Sequence, residues 1–98
     1  MKRARWLLLV LFALPAPASA AEPAIQLKPG PGRAEAASTC NGCHSLDYIV
    51  MNSVFLTPDG WKAEVAKMRQ AYGAPMDDAL ADKIARYLSA TYALPPRS

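Results

Sequence analysis

Two cysteines and the only histidine of the chain fall within five consecutive residues, Cys40, Asn41, Gly42, Cys43 and His44. This order, C-x-x-C-H, is the attachment sequence for c-type haem. Each thiol can add across one vinyl group of the porphyrin and leave a covalent thioether bond. The imidazole that follows directly can bind the iron from the proximal side. We therefore expect one covalently bound haem c, held by Cys40, Cys43 and His44.

Three other uses of a closely spaced cysteine pair compete with this interpretation. A thioredoxin-type redox pair has the same spacing but prefers a βαβ context, which the sequence does not show. A structural disulfide between Cys40 and Cys43 would close a very small loop and stabilise the fold little. A zinc site needs four ligands, and the chain has two cysteines and one histidine. The order of the residues favours haem over all three.

The second axial position of the iron cannot be filled by another histidine, because His44 is the only one. Methionine is the usual alternative. Met51 follows His44 by only seven residues, too close for the chain to pass easily to the opposite face of a haem. Met76 lies in a loop between two predicted helices, whereas Met68 lies on a buried stripe and has an alternative role in core packing. Residue spacing leaves Met68, Met76 and an open iron as alternatives.

The elements that must position these residues are helices. Residues 33–42 are mostly strong helix formers that run into Cys40. Residues 45–57 show no sustained periodicity and predict an irregular loop with at most one turn of helix. No segment alternates as a strand does, and no internal repeat is present. We expect an all-α fold, a small cytochrome c-like domain of about three helices wrapped round one haem.

Two further helices have clearer boundaries. In the second helix Thr57 is a suitable N-cap, Pro58 suits the first turn, and Gly73 ends the helix. The third starts at Asp77 or Asp78 and ends near residue 92. Their predicted buried stripes consist of Trp61, Val65, Met68 and Tyr72 in the second helix, and Leu80, Ile84, Tyr87, Leu88 and Thr91 in the third.

The first twenty residues have the layout of a secretory signal peptide. Basic residues at positions 2, 3 and 5 precede a short apolar run, Trp6 to Leu14, and small residues follow through Ala20. The run is shorter than the roughly 20 apolar residues that span a membrane, so an uncleaved anchor is the weaker alternative. We predict cleavage after Ala20, a periplasmic protein, an extended lead-in at residues 21–32 and a monohaem domain at residues 33–98.

Removal of that leader changes the charge balance. The full chain of 98 residues has a net charge of +3, and the three basic residues of the leader supply all of it. The remaining 78 residues keep eight of the eleven basic residues against eight acidic ones. A neutral chain gives no support for binding nucleic acid or an anionic membrane. A hydrophobic core of this size is marginal, so a bound prosthetic group would fill space that the side chains cannot.

Several segments together resemble a known family. These are C-x-x-C-H-S-L-D-Y from Cys40, Met51-Asn52-Ser53, W-x-x-E-V-x-K-M from Trp61, Y-G-A-P from Tyr72, and a final helix with Tyr87-Leu88. Over nearly all of the mature chain this pattern resembles small bacterial monohaem c domains, in particular the cytochrome subunits of periplasmic sulfite dehydrogenases (sulfite:cytochrome c oxidoreductases). The haem motif is highly specific, and the link to sulfite is much less so.

The resemblance implies more than the spacing does. It favours Met68 over Met76 as the sixth ligand, and it implies that Tyr48, Trp61 and Tyr72 pack round the porphyrin. It implies an electron-transfer protein that is not itself an enzyme. The implied partners are a molybdenum-cofactor sulfite dehydrogenase subunit and a downstream soluble cytochrome or oxidase. The alternatives are a free-standing periplasmic carrier for another dehydrogenase, a haem sensor or peroxidase-like protein with an open iron, and a thiol oxidoreductase.

Overall fold

The structure, a computed structural model, describes residues 10–14 and 25–96. It contains four helices, α1 (Arg33–Cys40), α2 (Asp47–Asn52), α3 (Pro58–Gln70) and α4 (Asp78–Thr91). No strand occurs in the described ranges, so the predicted all-α class is confirmed. Most of the predicted signal peptide, with its cleavage site, lies outside the described residues. No helix of the described chain is long and apolar enough to cross a membrane.

The number of helices differs from the prediction of about three. Residues 47–52, which we predicted as part of an irregular loop, form the short helix α2. Its only buried residue is Ile49, with 1% of its surface exposed, and Val50 and Met51 on its outward face are also apolar. Apolar residues on both sides of a short helix hide the 3.6-residue period, so no clear helical pattern is visible in this segment.

The boundaries of the two long helices follow from their caps, as predicted. The Thr57 hydroxyl accepts a hydrogen bond from the Gly60 amide at 3.2 Å, and Pro58 occupies the first turn of α3. The Asp77 carboxylate accepts one from the Leu80 amide at 2.8 Å, which opens α4. Gly73, with φ at +71°, provides the left-handed turn after α3 that other residues rarely adopt.

Helix α4 packs against both α3 and α1 and forms the centre of the core. The buried side chains are Leu27, Ala36, Ile49, Trp61, Val65, Ile84, Ala85, Tyr87, Leu88 and Tyr92. The Trp61 indole N–H donates to the Tyr92 carbonyl at 2.8 Å and so joins the start of α3 to the end of α4. The Lys83 ammonium lies 2.6 Å from the Glu35 carboxylate and links α4 to α1.

One member of the predicted stripes is exposed to solvent. Tyr72 is 68% exposed because α3 ends at Gln70, two residues before it. Leu80 and Thr91 of the α4 stripe are half-buried, and the Met68 side chain is also half-buried. The stripe predicted for α3 therefore holds at Trp61 and Val65 and is lost at its C-terminal end.

The described part of the lead-in, residues 25–32, contains no helix or strand, bends and turns at residues 29–32, and packs along α4. The Lys28 amide donates to the Tyr92 hydroxyl at 2.8 Å, and the Lys28 carbonyl accepts from the Tyr87 hydroxyl at 2.5 Å. Leu27 is 3% exposed. At Gly32, just before α1, φ is +96°, and an added Cβ would come within 2.9 Å of the Tyr87 Cβ atom on α4. Only glycine fits this position.

Candidate functional site

A cavity of about 450 Å³ lies between the helices. All four helices contribute to its wall, together with the loop before α2 and the loop after α3. The lining is mostly apolar and consists of Thr39, Cys40, Cys43, His44, Tyr48, Ile49, Trp61, Glu64, Val65, Lys67, Met68, Tyr72, Ala74, Met76, Ile84 and Leu88. Its volume falls in the range of pockets that hold small ligands and cofactors, roughly 300–1,000 Å³.

The structure brings the residues of C-x-x-C-H together on this wall. Cys40 is the last residue of α1, Cys43 and His44 follow in the turn before α2, and all three line the cavity. Both cysteines are free thiols. Met68 and Met76 line the same cavity, so the structure does not choose between them, whereas Met51 is 68% exposed and is not on the wall.

Burial changes the chemistry of the first thiol. The apolar surroundings raise the pKa of Cys40 above its ordinary value of 9.0, because the thiolate loses hydration there. A thioredoxin-type nucleophile requires the opposite shift, since the thiolate is the reactive form. In this environment Cys40 is poorly suited to be the nucleophile of a thiol oxidoreductase. A half-buried, protonated thiol is compatible with a bond to a group that fills the cavity.

The imidazole of His44 has a defined orientation. Its Nδ1 atom lies 2.9 Å from the Ser45 carbonyl oxygen. A carbonyl can only accept, so Nδ1 carries the proton and Nε2 keeps its lone pair for a metal. The His44 ring also packs against the Tyr48 ring, with 4.6 Å between centroids and an interplanar angle of 39°. The two contacts hold the imidazole at the cavity wall.

A polar cluster that the sequence analysis did not single out forms one part of the wall. The Tyr48 hydroxyl donates to the Glu64 carboxylate at 2.8 Å, and the Lys67 ammonium lies 2.9 Å from the same oxygen. Burial raises the pKa of Glu64, but the hydrogen bonds from Lys67 and Tyr48 outweigh it and leave the pKa below 4.5. The hydrogen bond that Tyr48 donates to Glu64 raises the pKa of Tyr48. The cluster joins α2 to α3.

The spacing along α3 contained a signal for Glu64. Trp61, Glu64, Val65 and Met68 fall at i, i+3, i+4 and i+7, which is one face of a helix. A carboxylate on an otherwise apolar face has to find a partner, since an unpaired buried charge is unfavourable. The partner, Tyr48, lies on another helix, and the sequence alone did not identify it.

The donor set fits haem c better than a single chelated ion. In residues 10–14 and 25–96, no three histidine, cysteine or acidic side chains are grouped so that they could hold one metal ion. A zinc site requires such convergence. Haem attachment instead requires two separate thiols and one imidazole along the edge and face of a flat apolar group. The free thiols, the oriented imidazole and the apolar cavity are the groups that such an attachment would use.

Comparison with known proteins does not place the chain in a family. No protein-family model matches the chain, and no curated protein matches it.

Proposed function

We propose that this chain is a periplasmic c-type cytochrome that carries single electrons. One observation supports the proposal most strongly. Both thiols of the C-x-x-C-H segment, the imidazole of His44 and the thioethers of two methionines line one apolar cavity. Cys40 and Cys43 would hold the haem through thioether bonds, and His44 would bind its iron through Nε2. Bound haem c supplies one-electron redox chemistry at its iron.

The chain's own residues would set the conditions for that chemistry. The Ser45 carbonyl fixes the tautomer and orientation of the imidazole, and such a hydrogen bond increases the basicity of a ligand. Trp61, Val65, Ile84 and Leu88 are buried and would give the haem an apolar environment. A methionine on the opposite side would close the second axial position and leave no open site for substrate. Met68 is our preferred candidate by resemblance, with Met76 as the alternative.

The resemblance also supports a specific partner. We propose that the chain is the electron-accepting subunit of a sulfite dehydrogenase, next to a molybdenum-cofactor subunit, and that it passes electrons to a soluble cytochrome or oxidase. The mature chain is neutral, so it cannot depend on strong overall charge for association. Anaerobic addition of sulfite to the native complex should reduce the haem within seconds. If the chain purifies alone and its haem is not reduced by sulfite in the presence of the dehydrogenase, the sulfite assignment is wrong. The general function as a periplasmic electron carrier would then remain.

A redox titration combined with carbon monoxide tests the electron-carrier function. The purified protein should titrate reversibly with one electron per chain, and the reduced form should not bind carbon monoxide readily. Ready binding of carbon monoxide would indicate an open iron and therefore the sensor or peroxidase-like alternative. Titratable thiols in a colourless protein would favour the thiol oxidoreductase.

A further inference from the structure

The proposed function makes no use of the outward face of α2 and the turn that follows it. Hydrogen bonds from the Ser53 amide to the Ile49 carbonyl and from the Leu56 amide to the Asn52 carbonyl, both 3.1 Å, continue the helical pattern past the end of α2. Large apolar side chains on this face are exposed. The α2 patch consists of Val50, Met51, Val54 and Phe55, which are 40%, 68%, 61% and 73% exposed.

The α2 patch and the cavity lie on opposite sides of one helix. The patch residues occupy positions i, i+1, i+4 and i+5, an arc of about 140° at 3.6 residues per turn. Ile49 lies opposite the middle of that arc, is 1% exposed and lines the cavity. A single helix, about 10 Å across, therefore separates Val50 and Met51 from the cavity, and Val54 and Phe55 extend the patch into the turn after α2.

The patch is uncharged as well as apolar. Residues 48–56 contain no acidic or basic side chain. At the exposures given above, each large apolar side chain leaves roughly 100 Å² in water, so the four present on the order of 400 Å². Apolar patches of this size on a monomer are often functional.

The size of the patch restricts what can cover it. A stable dimer buries about 800 Å² on each partner, roughly twice the area of the patch, so a lasting pair of identical chains would need a second contact surface. Brief encounters between redox proteins lie at the low end of interface sizes. An anionic membrane surface requires basic side chains, and the patch has none.

We propose that the α2 patch is the docking surface for a transient one-electron redox protein whose own docking face is apolar and uncharged. The inference rests on the proposed function, because it assumes a haem in the cavity behind α2. In the encounter one electron would pass from the partner's redox centre to the ferric haem, or from the ferrous haem to the partner. No bond forms or breaks, and no proton moves. Because neither face is charged, the association rate should depend little on salt concentration.

The test uses the mature holoprotein and a blue-copper protein with an apolar, uncharged docking face. With both proteins reduced no electron moves, so amide NMR shifts measure binding alone, and the shifts should concentrate in residues 48–56. Electron transfer is then followed by stopped flow in the direction that the two measured potentials favour. Met51→Glu and Phe55→Glu should each slow it at least tenfold. The wild-type rate should change less than twofold between about 0.05 M and 0.5 M salt.

Ala79→Glu is the matched control, since it adds the same charge at an exposed position. It lies at the start of α4, about 20 Å along that helix from the end near Leu56. Ascorbate should reduce all variants equally. Wild-type rates in both patch variants, a steep salt dependence, or no shifts in residues 48–56 would each overturn the docking inference. A protein without haem absorption would overturn the proposed function instead.

Discussion

The imidazole of His44 is held at the cavity wall by two contacts of different kinds. The Ser45 carbonyl accepts from Nδ1 at 2.9 Å, and the Tyr48 ring packs 4.6 Å away between centroids. Together they leave Nε2 as the only ring nitrogen available to a metal. The opposite side of the site is less defined, because Met68 and Met76 both line the cavity.

Replacing each methionine separately should identify the sixth ligand. We expect Met68→Ala to remove the weak sulfur-to-iron band in the red region of the oxidised spectrum, whereas Met76→Ala should leave it. The reason is the position of Met68 on the inward face of α3, together with the family resemblance. Visible spectroscopy of the two variants is the measurement, with Met51→Ala as the control at an exposed methionine. If only Met76→Ala loses the band, the sixth ligand is Met76, in the loop between α3 and α4.

Side-chain contacts between helices shape the cavity. Trp61 is 2% exposed and donates to the Tyr92 carbonyl, while Glu64 one turn later accepts from Tyr48. The same face of α3 therefore contacts the end of α4 and the start of α2. Loss of either contact should loosen one side of the cavity.

Trp61→Phe should destabilise the fold by about 1–3 kcal/mol. The phenyl ring cannot donate to the buried Tyr92 carbonyl, which is left without its partner, and it fills less volume. Urea unfolding of the holoprotein measures the change in the free energy of unfolding. Lys62→Ala, at the exposed neighbouring position, should stay within about 0.5 kcal/mol of wild type. Equal stability of Trp61→Phe and wild type would show that this contact does not hold α3 to α4.

The pairing of Glu64 should make stability depend on acid pH. Because the folded-state pKa lies below 4.5, the contribution is fully present above that pH and is lost as the pH falls through the folded-state value. We expect Glu64→Gln to have a lower Tm than wild type at pH 7 and the difference to shrink below pH 4.5. Asp82→Asn, at a side chain 63% exposed, is the control and should show a small difference. A difference that grows towards acid pH would contradict the pairing.

Local signals in the sequence were sufficient for part of this structure. Thr57 and Asp77 cap their helices through side chains within three residues, so their roles follow from neighbouring positions alone. The C-x-x-C-H spacing is local in the same way. The contact of Tyr48 with Glu64 and the exposure of Tyr72 depend instead on how separate helices pack and end. No local pattern contains that information.

The described part of the molecule combines a small core with a cavity of about 450 Å³. The described residues bury ten side chains, and the lead-in contributes one of them, Leu27. A core of that size gains from any group that binds only the folded state. The proposed haem would therefore act as part of the core as well as the redox centre, and the protein without it should be much less stable.

Export should remove the basic end of the chain. We expect the mature protein to begin at Ala21, and its isoelectric point to fall well below the value near 9.1 of the full sequence. N-terminal sequencing and isoelectric focusing of the periplasmic fraction measure both. The matched comparison is the same chain made without export, which should keep residue 1 and the basic isoelectric point. A membrane-bound protein that retains its first twenty residues would support the uncleaved anchor instead.

The covalent attachment of haem through Cys40 and Cys43 is most directly tested by denaturing the purified protein. The protein is made in a host that matures c-type cytochromes, unfolded, and extracted with acid acetone, and the polypeptide is weighed by intact mass spectrometry. We predict that the colour stays with the polypeptide and that its mass exceeds that of the mature chain by one haem. The double variant Cys40→Ala and Cys43→Ala should carry no bound haem. A wild-type chain that releases its haem into the solvent, or that never acquires one, would contradict this assignment of the cavity.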